Sequence, residues 1–159
     1  MSPEQPVRKQ RVSARALLLR EHGGRQEVLL ARVSSSGFSA AGTWTLPGGG
    51  VDHGEHPEES LRREVHEETG LTIDVGRVLG VVSRHFTGPS PLGELEDFHG
   101  LHLVYDARVV SPSDEPRVVE VDGTTDAVAW HLVADVRAGR LKAAAVVTEA
   151  LGWADSAPR

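Results

Sequence analysis

One continuous passage, Trp44 to Gly70, sets most of what this chain can build. A short apolar run, Trp44 to Leu46, stops at Pro47 and gives way to Gly48-Gly49-Gly50. Three glycines in a row read as a tight or ligand-approaching turn, not as regular structure. From Pro57 to Thr69 the pattern becomes that of a helix. Pro57 suits the first turn, Glu58 and Glu59 favour its positive end, and Gly70 suits the C-cap. At about 100° per residue, Glu64, Glu67 and Glu68 fall within roughly 100° of arc on one side. Leu61 and Val65 lie beside them and can anchor the helix to a sheet, while His66 points away. Three carboxylates this close raise one another's pKa unless a cation sits between them. Hard divalent cations take oxygen ligands of this kind. On an arbitrary helix the same letters mark a solvated face, and Glu64 with Glu68 is an unfavourable like-charge pair. The preceding glycine turn, Arg63 and the remote Glu55 move the reading toward a metal site.

The stretch from Gly49 to Leu71 reads GGVDHGEHPEESLRREVHEETGL. Its order is Gly, five residues, Glu, seven residues, Arg-Glu, an aliphatic residue, any residue, Glu-Glu, any residue, Gly and an aliphatic residue. This resembles the Nudix box at every fixed position: Gly49, Glu55, Arg63, Glu64, Val65, Glu67, Glu68, Gly70 and Leu71. Trp44, Leu46 and Pro47-Gly48-Gly49 resemble the family's lead-in. The resemblance implies an α/β fold, a Nudix-like α/β/α sandwich with a mixed β-sheet. It also implies an enzyme acting on acid anhydrides, with Mg²⁺ or Mn²⁺ as cofactor. The expected bond is a phosphoanhydride in a nucleoside diphosphate linked to a group X. A (deoxy)nucleoside triphosphate, releasing the monophosphate and pyrophosphate, is the first expectation. ADP-ribose, a sugar nucleotide or another diphosphate is the alternative, and a non-catalytic nucleotide-sensing domain is a third. Sensor domains of the family often lose box glutamates, and this chain keeps all of them.

The resemblance also suggests roles. Glu64, Glu67 and Glu68 are the expected metal ligands, helped by a backbone carbonyl of Gly49 or Gly50. Arg63 is expected to orient a carboxylate within the box, and Glu55 to partner Arg63 or act as an outer metal ligand. The general base is open: Glu64, or a carboxylate elsewhere. The proline that marks the ADP-sugar branch is out of place, with Phe86-Thr87-Gly88 in that region and Pro89 beyond it. The tyrosine of the diadenosine-polyphosphate branch is absent there too. No Gly-Lys-Ser/Thr follows the glycines, so they form no P-loop.

Around this passage the pattern alternates strands with few helices. Val12 to Leu19, Glu27 to Arg32, Leu71 to Val75, Val78 to Phe86, Leu101 to Val110 and Ala127 to His131 read as strands. Leu132 to Gly139 and Ala143 to Leu151 permit helices. Ser34 to Gly42, Thr87 to Asp97 and Ser111 to Pro116 read as loops. One domain over residues 11–152 is expected, with flexible ends at 1–10 and 153–159. The 159 residues suffice for a core, and 39% hydrophobic with 25% charged residues is a soluble, globular balance. Cysteine is absent, which removes disulfides, zinc–thiolate sites and a cysteine nucleophile. With no apolar stretch long enough to span a bilayer, the cytoplasm is the default location. A net charge of -6 argues against a broad nucleic-acid surface but not against a small anionic substrate, which metal and isolated arginines can hold. The expected partner is therefore a small nucleotide-like molecule, with no nucleic acid and no membrane. A homodimer is compatible with the family, though no sequence feature marks an interface.

Outside the box, Glu94, Glu96 and Asp97 are candidates for an additional ligand or base in the Thr87–Asp97 loop. Glu120, Asp122 and Asp126 rank behind them. Arg32, Arg84 and His53 are candidates for substrate contact, and each also reads as plain surface. The spacing of His53, His56, His85, His99 and His102 matches no zinc pattern. Trp44, Phe86, Phe98, Tyr105 and Trp130 offer stacking surfaces, but core packing is the commoner fate of aromatics.

Overall fold

The computed structural model describes residues 5–34, 40–90, 92–120 and 122–156. Its framework is a mixed sheet ordered β3-β2-β1-β6-β5, with β4 attached to β1 and β7 to β2. The strands are β1 (Val7–His22), β2 (Arg25–Val33), β3 (Trp44–Thr45), β4 (Gly48–Gly50), β5 (Ile73–Pro89), β6 (Leu95–Val109) and β7 (Thr125–Leu132). The helices are α1 (Pro57–Thr69), α2 (Val133–Arg137) and α3 (Ala145–Ser156). Residues of β1 alternate between two cores, because consecutive strand side chains face opposite ways. Leu17 packs with Val133 and Val136 of α2 and Val147, Ala150 and Leu151 of α3. Ala16 and Leu18 pack with Leu61 and Val65 of α1. The result is the α/β sandwich with helices on both faces that the sequence led us to expect.

Several boundaries differ from expectation, each for a long-range reason. β1 begins at Val7, inside the segment expected to be flexible, because Val7 to Gln10 pair in parallel with Glu96 to His99. Only the backbone of a distant strand supplies those partners, and no local pattern reveals it. The supposed Thr87–Asp97 loop is mostly the end of a long β5–β6 hairpin, with Thr87 opposite Asp97 and Pro89 opposite Leu95. The two expected strands at Leu71–Val75 and Val78–Phe86 are one strand, β5, with irregular register between Val75 and Gly80. Its proline and glycines are tolerated because β5 lies at the sheet edge. α3 runs to Ser156, past the expected end at Leu151 and into the segment 153–159 taken as flexible, since Trp153 and Ala154 pack on the core. Most of the expected Ser34–Gly42 loop lies outside the described residues. No helix among the described residues is long and apolar enough to cross a membrane.

The glycine triplet is a correction of another kind. Gly48, Gly49 and Gly50 form the short strand β4, paired antiparallel with Arg15, Ala14 and Ser13. Glycine is needed there for close approach. A Cβ on Gly48, whose φ is +137°, would run into the Ala14 carbonyl oxygen. A Cβ on Gly49 would come within 2.5 Å of a Glu64 carboxylate oxygen.

Candidate active site

Helix α1 is positioned at both ends. The His56 side chain caps its start by accepting from the Glu58 amide at 3.3 Å, and Gly70, with φ 71°, closes its end. Leu61 and Val65 are fully buried against the sheet, so the glutamate side of the helix turns toward β4. Ser60 ties the two together by donating to the Gly50 carbonyl at 3.1 Å.

Glu68 sits deepest, 6% exposed. It accepts from the Gly48 amide at 3.0 Å and from the Thr125 hydroxyl of β7 at 3.2 Å. Burial pushes its pKa up to about 7, against these two hydrogen bonds and the attraction of Arg15. Glu64 is half-buried and is also raised by desolvation, with Arg63 pulling the other way. Its carboxylate fills the space that a Gly49 side chain would occupy. Glu67 is the more open of the three, and Arg63 reaches it at 3.4 Å.

Arg63 is bonded to three carboxylates of the box. It donates to both Glu55 oxygens at 3.0 Å and to Glu64 at 3.0 Å. The two-pronged bond fixes the guanidinium plane, and Glu55 is held below its usual pKa by it. Glu55 is thus the partner of Arg63. The arginine neutralises Glu64 and Glu67 together, and among the described residues no three His, Asp or Glu side chains converge as a ready metal cage. The donor set still suits a hard cation. It is all oxygen, it lies on one helix side against a bare glycine backbone, and its two most buried members are held above the ordinary carboxylate range by desolvation, despite the pull of Arg63 and Arg15.

Two basic residues near this cluster escaped the sequence reading. Arg15 of β1 is desolvated, donates to the Leu46 and Gly48 carbonyls at 3.2 and 3.0 Å, and is attracted by Glu68 and Glu64. Arg11 lies over Gly50. The available signal was the period-two placement of Arg11, Ser13 and Arg15 on one face of β1, which meant nothing until β4 was known to lie beside it.

The other candidates are placed elsewhere. Arg32 pairs with Asp126 at 2.7 Å and lies over the Trp44 ring. Arg84 pairs with Glu149 of α3 at 2.7 Å. His53 sits in the exposed turn before α1. Glu94 is at the tip of the β5–β6 hairpin, Glu96 is buried against Lys9, and Asp97 pairs with His85. None of these three acids is bonded to α1. Glu120 contributes its amide to the Glu67 carbonyl at 3.1 Å, a backbone tie to the end of α1. Trp130 packs in the α1-side core and donates to the Asp114 carbonyl at 2.8 Å, and Tyr105 is buried, so neither is a free stacking surface.

Comparison with known proteins identifies the family. A family model for the NUDIX domain matches residues 9–151. The nucleoside triphosphatase NudI of Klebsiella pneumoniae (strain 342) is 32% identical over 122 residues, covering 76% of this chain and 83% of that protein. Nudix hydrolase 1 of Caenorhabditis elegans is 43% identical over 68 residues, 43% of this chain, but the chain spans only 18% of that longer relative. Among solved structures, a MutT NUDIX hydrolase from Burkholderia pseudomallei superposes with a TM-score of 0.68 at 30% identity, covering 91% of this chain and 98% of that one. With the family model spanning most of its length, the chain belongs to the Nudix family.

Proposed function

We propose that the chain cleaves a (deoxy)nucleoside triphosphate to the nucleoside monophosphate and pyrophosphate, with Mg²⁺ or Mn²⁺ held by Glu64, Glu67, Glu68 and a backbone carbonyl of the glycine strand at Gly49. The observation that carries this reading is the packing of Glu64 and Glu68 against the β4 backbone, with no side chain between carboxylates and strand. The similarity to a nucleoside triphosphatase over most of both chains favours the triphosphate over other diphosphates. When bound, the cation polarises the phosphoanhydride and offsets charge on the leaving group. The protein's own residues supply the rest. Arg63 orients Glu64 and Glu67, and Glu55 orients Arg63. Glu64, or a carboxylate outside the box, accepts the proton of the water that attacks phosphorus. The water oxygen forms the new bond to phosphorus as the bridging P–O bond breaks, and the electron pair leaves with pyrophosphate.

The test is a panel of canonical nucleoside triphosphates, ADP-ribose, sugar nucleotides and dinucleoside polyphosphates with Mg²⁺ and with Mn²⁺. Metal-dependent release of pyrophosphate is expected, falling by about a hundredfold or more in Glu67→Gln and in Glu68→Gln. A better rate on ADP-ribose or a sugar nucleotide would replace the triphosphate assignment. Silence across the panel with tight nucleotide binding would turn the reading to a sensor.

A further inference from the structure

Arg11 stands apart from the other cations around the site. Arg15, Arg63, Arg32 and Arg84 all have carboxylate or carbonyl partners. Among the described residues the Arg11 side chain has no hydrogen bond and no ion pair, and the residue is exposed. Yet its guanidinium is not splayed into solvent. It folds back over Gly50, where a Cβ would come within 2.6 Å of Nε and 2.8 Å of Cζ. Gly50 is opposite Ser13 in the β1–β4 ladder, so the charge lies closer to Arg15 than the Arg11 backbone does. The two like charges oppose each other there, and Arg11 acts to lower the Arg15 pKa. Arg15 is balanced by Glu68, Glu64 and two carbonyls, whereas among the described residues the Arg11 guanidinium has no hydrogen-bonded or ion-paired partner to balance its charge.

The surroundings say what would offset it. Gly50 follows Gly49, over which the Glu64 carboxylate lies, and precedes the turn into α1. From Gly48, the partner of Glu68, to Gly50 is two residues of strand, about 7 Å. A chain of linked phosphates can bridge that span. A planar guanidinium pre-placed against bare backbone is suited to phosphate oxygens, which it can bind in two-pronged fashion.

We propose that Arg11 is the binding and specificity residue for the outermost phosphate of the substrate, so that the site selects a triphosphate over the corresponding diphosphate. This rests on the phosphoanhydride-hydrolase reading above. Arg11 touches the phosphate that departs within pyrophosphate, and it contributes to affinity more than to the chemical step.

The experiment compares the wild-type chain with Arg11→Gln, Arg11→Lys and, as a control, Arg25→Gln at the start of β2, an exposed arginine whose side chain is also unpaired among the described residues. Binding of a non-hydrolysable nucleoside triphosphate analogue and of the corresponding nucleoside diphosphate in Mg²⁺ is measured by calorimetry, alongside KM and kcat for a triphosphate substrate. Arg11→Gln is expected to weaken the triphosphate analogue about tenfold and to raise KM similarly, with kcat within about twofold. Nucleoside diphosphate affinity is expected to hold, Arg11→Lys to recover part of the loss, and Arg25→Gln to change nothing. An unchanged affinity for the triphosphate analogue in Arg11→Gln, or an equal loss for both nucleotides, overturns the proposal. The binding data stand without turnover, so a chain that hydrolyses no triphosphate would overturn the functional reading while leaving the Arg11 result to be judged separately.

Discussion

Glu68 combines two demands that conflict. In its proposed role as a metal ligand it must be ionised, and as a buried group it resists ionisation. Its folded pKa of about 7 lies above the ordinary value of 4.5. Between those two values the unfolded chain is deprotonated while the folded chain still holds the proton. The stability this contributes is full below the lower value and is lost as pH rises through the upper one. The cation has the opposite dependence, since it binds the deprotonated form. In chelator, the melting temperature should therefore fall between about pH 5 and about pH 8, and Glu68→Gln should flatten that fall. Added Mg²⁺ should raise the melting temperature more at the higher pH. A metal-free melting curve that rises over this interval would contradict the assignment. Arg63 presents a different case: the motif marked it as orienting a carboxylate of the box, but its bonds to Glu55, Glu64 and Glu67 needed the loop to fold back on the helix.

Strand β4 decides how near the helix and sheet can come. Its three glycines were legible as special, yet their reason was misassigned to a turn. Local letters state that glycine is required; they do not state which neighbour forbids a side chain. At Gly48 the neighbour is backbone, the Ala14 carbonyl of β1, and the φ of +137° is itself hostile to other residues. Gly48→Ala should cost at least about 2 kcal/mol of stability, measured by denaturant unfolding. At Gly49 the neighbour is the Glu64 side chain, which can move. Gly49→Ala should leave a folded protein with activity reduced by about tenfold or more, because it displaces a carboxylate from the strand. Equal stability losses in the two variants would show that the two close approaches are not distinct in kind.

Across the molecule, the long β1 joins the parts. Val7 to Leu18 pair with β6, Ser13 to Arg15 also pair with β4, and Leu19 to His22 pair with β2. Residues 7–10 look frayed in the sequence because they carry charge and no apolar period; their order comes from backbone bonds to β6. Removing residues 1–10 should therefore speed amide hydrogen exchange in Glu96 to His99 and lower the melting temperature by a few degrees, without abolishing the fold. Unchanged exchange in that segment would mean the pairing adds no protection.

The chemistry of the site was written in consecutive residues. Helix period, capping letters and box spacing all act within a few turns of chain, so Glu64, Glu67, Glu68, Arg63 and Gly70 could be placed from order alone. The Glu55–Arg63 bond lies within the same short stretch and was readable for that reason. The remaining features depend on partners distant in sequence. The β1–β6 pairing, the continuous β5–β6 hairpin, the burial that lifts Glu68, and the placement of Arg11 and Arg15 beside β4 each arise when segments far apart along the chain meet. Backbone hydrogen bonds and desolvation are properties of that meeting, and no single segment carries them.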